Sequence, residues 1–225
     1  QELERQEEFN ANVSHELRTP IAVMHAQCQV SREVAEKKQD KEAIKSIEVF
    51  ERQTNRMKNL VDQLLQMTAI DRKGTTFSME DIDVRDVIES ACDDIAYIDT
   101  KQITFEYSFQ PTIIHANMNL IYIVINNLLS NAVKYSNEGT KIYVSCGEKD
   151  GKSYIRIQDE GCGIEKENIS KIFESFYREE KDRNAEGFGL GLSQAMKIAE
   201  LYGGGIYVES TKNKGSIFTF FIPKP

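Results

Sequence analysis

Ser14-His15-Glu16-Leu17-Arg18-Thr19-Pro20 lies within a run from Gln1 to about Glu36 that has no glycine and a single proline, and the run reads as one long helix. Pro20 has no N–H to offer the carbonyl of Glu16, so the helix should bend just past the histidine. His15 and Thr19 fall on one helical face about one turn apart. Glu16 follows directly, where its carboxylate can hold the ring or take its proton. The apolar positions Val13, Leu17, Ile21, Met24 and Cys28 recur at spacings of four, four, three and four, which predicts a buried stripe. His15 sits off the centre of that stripe. A lone histidine on an amphipathic helix is by default structural, but an outward ring beside a carboxylate is a candidate nucleophile.

Outward from this helix, Lys37-Lys38-Gln39-Asp40-Lys41 offers a polar turn, and Ile47, Phe50, Thr54, Met57, Val61, Leu64 and Thr68 then alternate spacings of three and four. That seam predicts a second helix antiparallel to the first. Two helices cannot bury both stripes, so dimerisation into a four-helix bundle is expected. The helical pattern stops at Ile70-Asp71-Arg72-Lys73-Gly74, which places a boundary between a domain of residues 1–73 and one of residues 74–225. The opening Gln1-Glu2-Leu3-Glu4 has neither an initiator methionine nor a capping residue, as expected of a fragment cut within a helix.

Composition excludes several classes of function. With 36 acidic against 28 basic residues and a net charge of −8, the chain opposes a phosphate backbone, so no nucleic-acid partner is expected. Cys28, Cys92, Cys146 and Cys162 form no CxxC pair and read as reduced thiols of a cytosolic protein. No apolar run of about 20 residues is present, so no membrane contact is expected from this stretch.

The second domain shifts to short alternating runs. Strands are expected at Phe77–Ile82, Ile103–Phe109, Thr112–Ala116, Thr140–Cys146, Ser153–Gln158, Gly205–Ser210 and Ser216–Ile222. Helices are expected at Val84–Ile98, Asn119–Tyr135, about Asn168–Phe176, and Leu192–Tyr202. Asp150-Gly151 suits a type I′ hairpin turn. The order predicts an α+β chain whose second domain is a mixed sheet with helices on one side.

Three clusters in this domain carry chemistry. Asn127, Asn131 and Lys134 share a face of the expected helix, where one neutral amide oxygen suits a hard cation such as Mg²⁺, which keeps waters and phosphate oxygens besides. Asp159-Glu160-Gly161-Cys162-Gly163 follows a strand, so its carboxylate can accept from an exocyclic amine while the glycines let the backbone turn beside a flat ring. Gly187-Phe188-Gly189-Leu190-Gly191 precedes a helix, whose free N–H groups and dipole favour a phosphate. The segment before it, Arg178 to Glu186, is highly charged and is expected to form a lid.

Taken together and in this order, these stretches resemble the catalytic core of a two-component sensor histidine kinase over essentially the whole chain. Ser14–Pro20 is similar to the family's H box, Asn127–Tyr135 to its N box, Asp159–Gly163 to G1, Phe173–Tyr177 to the F box and Gly187–Gly191 to G2. Ser175 and Phe188 depart from the commonest pattern, and Phe188 bears on lid packing. The resemblance implies a dimeric helical hairpin followed by a Bergerat-type (GHKL) ATP-binding sandwich. It further implies that His15 takes the γ-phosphoryl group of ATP, with Glu16 as base or orienting partner and Thr19 positioning water for dephosphorylation of the regulator. By the same resemblance Asn131 holds Mg²⁺ beside Asn127, and Lys134 and Arg178 offset phosphate charge. Asp159 reads the adenine amine, Tyr135 packs near the base, and Gly161, Gly163, Gly187, Gly189, Leu190 and Gly191 line the nucleotide. The partners implied are a second copy of the chain and the receiver domain of a response regulator docking on Leu3–Met24 and the facing helix. The location implied is the cytoplasmic part of a membrane-anchored bacterial sensor. His25 and His115 are expected to be structural, His115 for want of a carboxylate neighbour.

Overall fold

The computed structural model describes residues 2–71, 76–98, 101–179 and 187–224, and within them the side chains from Leu17 onward save Arg18, Asp71 and Ile98. The side chains of Val13, His15 and Glu16, the Lys73-Gly74 junction and the charged segment 180–186 lie outside the described residues. The chain divides into two compact units, Gln1–Thr75 and Thr76–Pro225.

The first unit is a helical hairpin, α1 (Glu2–Lys37) and α2 (Lys41–Asp71), with Pro20 inside α1. Its turn is a Schellman closure: Gln39 takes φ +55, Gln39 N–H donates to Glu36 O at 3.0 Å and Asp40 N–H to Ala35 O at 3.0 Å. Asp40 then caps α2, its carboxylate accepting from Ala43 N–H at 3.0 Å. Next to the turn, Arg32 of α1 pairs with Glu51 of α2 at 2.7 Å and with Glu36 at 3.1 Å.

Ile21, Ala35, Thr54, Val61 and Met67 are buried in this unit. The two expected stripes are buried only in part. Leu17 is 44%, Met24 42%, Phe50 65% and Met57 40% exposed. Within this unit each helix packs on the other alone, so a stripe wider than one contact line keeps one flank outside the hairpin contact.

The second unit holds β1 (Glu80–Asp83), α3 (Val84–Ile98), β2 (Thr104–Phe109), β3 (Ile113–Ala116), α4 (Met118–Tyr135), β4 (Lys141–Lys149), β5 (Lys152–Asp159), α5 (Gly191–Leu201), β6 (Gly205–Thr211) and β7 (Gly215–Pro223). A five-stranded sheet runs in the order β2-β4-β5-β7-β6, parallel only between β2 and β4, while β1 and β3 form a separate antiparallel pair. Asp150 and Gly151 take φ of +51 and +70 at the β4–β5 turn, as a type I′ turn requires.

Strand alternation sends Ile142, Val144, Ile155, Ile157, Phe218 and Phe220 inward against the apolar faces of α3, α4 and α5. Tyr143, Tyr154 and Arg156 point the other way. Asn117 caps α4, its side chain accepting from Leu120 N–H at 3.1 Å. Leu120, Ile121, Val124, Ile125, Leu128 and Leu129 bury the length of that helix.

Three expectations require correction. The first strand spans only Glu80–Asp83, because Glu80 is the last residue opposite its partner Ala116. In place of a helix over 168–176 there are two short 3₁₀ turns, Lys166–Asn168 and Lys171–Phe173. That segment is tethered at both ends, by Ile164 N–H to Ser210 Oγ at 2.8 Å and by Phe176 N–H to Gly189 O at 2.9 Å, with Phe176 held at φ +67. Tertiary contacts thus override a weak helical periodicity. His115 does have a carboxylate neighbour: its cross-strand partner Asp81 lies 2.8 Å from Nδ1. Sequence proximity could not show it, since the pairing is made by the sheet. All four cysteines are free thiols.

Candidate active site

The site grows from the C-terminal end of β5. Period-two alternation places Asp159 on the inward face with Ile155 and Ile157, and it is 5% exposed. Its Oδ1 accepts from Gly161 N–H at 2.8 Å and from Ser216 N–H at 3.2 Å, whereas Oδ2 takes no hydrogen bond among the described residues. Burial pushes the carboxyl above its ordinary range, and the backbone N–H groups of Gly161, Ser216 and Asp159 itself oppose that shift without cancelling it. The result is an inward carboxylate with one oxygen fixed and one available to a donor.

The G1 loop lies against the last turn of α4. Cys162 N–H donates to Tyr135 O at 3.2 Å. A side chain at position 161 would collide with the Tyr135 carbonyl and come within 2.8 Å of Asp159 Oδ1, so only glycine fits. The β6–β7 turn braces the loop from its other side, with Asn213 N–H donating to Cys162 O at 2.7 Å. Gly163 abuts Thr211 there.

The third cluster meets α4 about two turns earlier. A Cβ on Gly191 would stand 2.8 Å from Asn127 Oδ1, so the start of α5 and the amide face of α4 are in direct contact. Asn127 Nδ2 donates to Gln194 Oε1 at 3.3 Å, and Gln194 is 1% exposed. Leu190, buried at the head of α5, supplies no side-chain cap, which leaves the first N–H groups of that helix open to an anion.

Asn131 is half-buried and makes no side-chain hydrogen bond to a described residue, whereas Asn127 is engaged. A free neutral amide oxygen on this face has the chemistry of a single Mg²⁺ ligand. Lys134 holds its ammonium 5.1 Å from the centroid of the Tyr135 ring, close beside Gly187. Arg178 donates from Nη1 to Gly187 O at 2.7 Å and so braces the G2 backbone. Thr19 is exposed on α1.

Asn127, Asn131, Lys134, Tyr135, Asp159, Gly161, Gly163, Arg178, Gly187, Gly189, Leu190 and Gly191 therefore gather around the C-terminal half of α4, the G1 loop and the head of α5. His15 and Thr19 belong to the other unit. Ser216 and Gln194 were not legible as site residues. Ser216 acts through its backbone N–H, which no residue type announces, and Gln194 through a helix contact set by packing.

Two family models match the chain: "His Kinase A (phospho-acceptor) domain" over residues 5–73, and "Histidine kinase-, DNA gyrase B-, and HSP90-like ATPase" over residues 116–225. Sensor histidine kinase WalK of Bacillus subtilis (strain 168) is 34% identical over 222 residues, covering 96% of this chain and 36% of the relative. Sensor protein RprX of Bacteroides fragilis (strain YCH46) is 33% identical over 227 residues, covering 98% of this chain and 44% of the relative. The chain thus spans less than half the length of both. Full-length ShkA, solved in complex with AMPPNP, shares the fold with a TM-score of 0.81 at 22% identity, covering 96% of this chain and 45% of that one. Among the described residues no helix is long and apolar enough to cross a membrane.

Proposed function

The chain belongs to the two-component sensor histidine kinases, and on that premise we propose that it transfers the γ-phosphoryl group of ATP to His15 and passes it on to an aspartate of a response regulator. Residues 1–73 serve as the dimerisation and phosphotransfer domain, and residues 74–225 bind the nucleotide. The observation that carries the reading is the convergence of three distant clusters on the C-terminal half of α4, where Gly191 meets Asn127, Gly161 meets Tyr135 and Asp159 faces inward with a free oxygen.

In this reading Asp159 Oδ2 accepts from the adenine amine. Tyr135 packs beside the base, and Gly187, Gly189, Leu190 and Gly191 leave room and N–H groups for the phosphates. Lys134 offsets phosphate charge, and Arg178 fixes the backbone of Gly187. Mg²⁺, held by Asn131, supplies charge neutralisation on the phosphate oxygens when bound. A ring nitrogen of His15 attacks the γ-phosphorus, the bond from phosphorus to the β–γ bridging oxygen breaks, ADP leaves and the imidazole proton passes to Glu16. Positioning and charge neutralisation provide most of the acceleration in phosphoryl transfer, which suits a site built of backbone N–H groups and one ammonium.

Dimerisation through α1 and α2 is supported by the exposed flank Leu17, Met24, Phe50 and Met57. Thr19, exposed one turn past His15, is suited to position water for dephosphorylation of the regulator. The location expected is the cytoplasmic side of a membrane-anchored sensor.

The test is incubation with Mg²⁺ and γ-labelled ATP. Acid-labile, alkali-stable label that disappears in His15→Ala, with ATP binding retained, is the expected result. ATP turnover with no label on protein would overturn the reading in favour of a clamp-type ATPase of the same fold.

A further inference from the structure

Helix α4 ends without a glycine, and its C-cap Ser136 is extended at φ −76, ψ 153. The last four carbonyls of a helix have no partner within it. Here Ala132 O accepts from Ser136 N–H at 3.0 Å and Tyr135 O from Cys162 N–H at 3.2 Å. Val133 O and Lys134 O both accept from the Nζ of Lys101, at 2.9 and 2.7 Å, and the same ammonium reaches Ser136 O at 2.9 Å. The carbonyl of Lys101 in turn accepts from Gly139 N–H at 2.9 Å. Lys101, three residues ahead of β2, thereby holds both the final turn of α4 and the loop that leaves it.

We propose that Lys101 is a positioning residue of the nucleotide site: its ammonium, caged by three carbonyls, sets how the last turn of α4 meets the G1 loop and thereby sets nucleotide affinity. The inference rests on the nucleotide-binding reading above. The turn it caps carries Lys134 and Tyr135, and the Tyr135 carbonyl is the atom that leaves no room for a side chain at Gly161. A small shift of this turn would therefore move the wall against which the loop beside Asp159 is packed.

Lysine suits the task because its three N–H donors surround a point charge, one for each carbonyl, and because a cation at a helix C-terminus is favoured by the helix dipole. Arginine presents its donors in a fixed planar fork, which cannot serve three carbonyls converging on a point.

The experiment uses the whole 225-residue chain and compares wild type, Lys101→Ala and Lys101→Arg. ATP affinity is measured by calorimetry, and KM and kcat from self-labelling. For Lys101→Ala, Kd and KM should rise about tenfold while kcat at saturating ATP stays within about twofold. Methylammonium at tens of millimolar should restore much of the affinity in Lys101→Ala and leave wild type unchanged, since a small cation can enter the carbonyl cage. Lys101→Arg should fall between the two. A lower melting temperature with unchanged Kd, or a loss confined to kcat, would overturn the assignment. Should Lys101→Ala not fold, Lys101→Arg carries the test, and ATP affinity equal to wild type would overturn it. Failure of wild type to bind ATP would instead overturn the functional reading itself.

Discussion

Replacing Asp159 with asparagine should move stability and nucleotide affinity in opposite directions. Asparagine keeps an oxygen where Oδ1 now accepts from Gly161 and Ser216, so the loop retains both bonds. The other terminus becomes an NH₂ group, which would point a donor at the adenine amine. Loss of a hydrogen bond to a charged group costs about 1.5–3 kcal/mol, or roughly 10- to 150-fold in affinity.

The folded protein itself should not suffer. Burial raises the Asp159 pKa above its unfolded value, so the folded state holds this proton more tightly than the unfolded state does. The stability contributed by the group is complete below the unfolded pKa and is lost as pH rises through the folded value. At neutral pH the charged form is thus a burden that asparagine removes. Asp159→Asn should therefore melt no lower than wild type at pH 7, and any advantage should shrink as pH falls through the raised folded pKa and be gone below the ordinary value of 3.8. The chain has no tryptophan, so ATP binding is best read by calorimetry or a fluorescent nucleotide, with melting followed by circular dichroism. Unchanged affinity would refute the role given to Asp159. A melting temperature several degrees lower at pH 7 would refute the electrostatic argument.

Gly161→Ala should lower ATP affinity at least tenfold, since its methyl group would collide with the Tyr135 carbonyl and press on Asp159; calorimetry with a full-strength binding curve would contradict the packing described. Met24→Glu combined with Phe50→Glu should convert a dimer to a monomer in sedimentation at micromolar concentration, because both are large apolar side chains left exposed on the hairpin. An unchanged sedimentation coefficient would move the interface elsewhere. Asn131→Leu should suppress self-labelling far more than it weakens nucleotide binding in EDTA, whereas equal losses with and without Mg²⁺ would remove it as the metal ligand. Arg178→Ala frees the Gly187 carbonyl and should raise KM for ATP severalfold with little change in melting temperature; unchanged labelling kinetics would make that brace idle.

Local signals reached far into this chain. An unbroken helical run with a three-and-four seam announced the hairpin, and Asp150-Gly151 announced the β4–β5 turn. Val84–Ile98 was bounded correctly from periodicity alone. The glycine clusters were legible because a backbone that must turn sharply or leave helix N–H groups free requires glycine whatever surrounds it. Periodicity misled where the chain is held by distant tethers, as at 168–176, and where a partner arrives from another strand, as with Asp81 and His115.

The amino-acid order by itself thus determined most of the helices and strands, the segment 168–176 apart, and which residue types are available for phosphoryl chemistry. Tertiary structure alone decided that Ser216, 57 residues away, fixes one oxygen of Asp159, that Gly191 closes on Asn127, and that Lys101 caps the end of α4. The reason is one of range. Helix periodicity and turn chemistry act over a few neighbouring residues, whereas these contacts depend on sheet register and helix packing, which the chain settles only when the core closes.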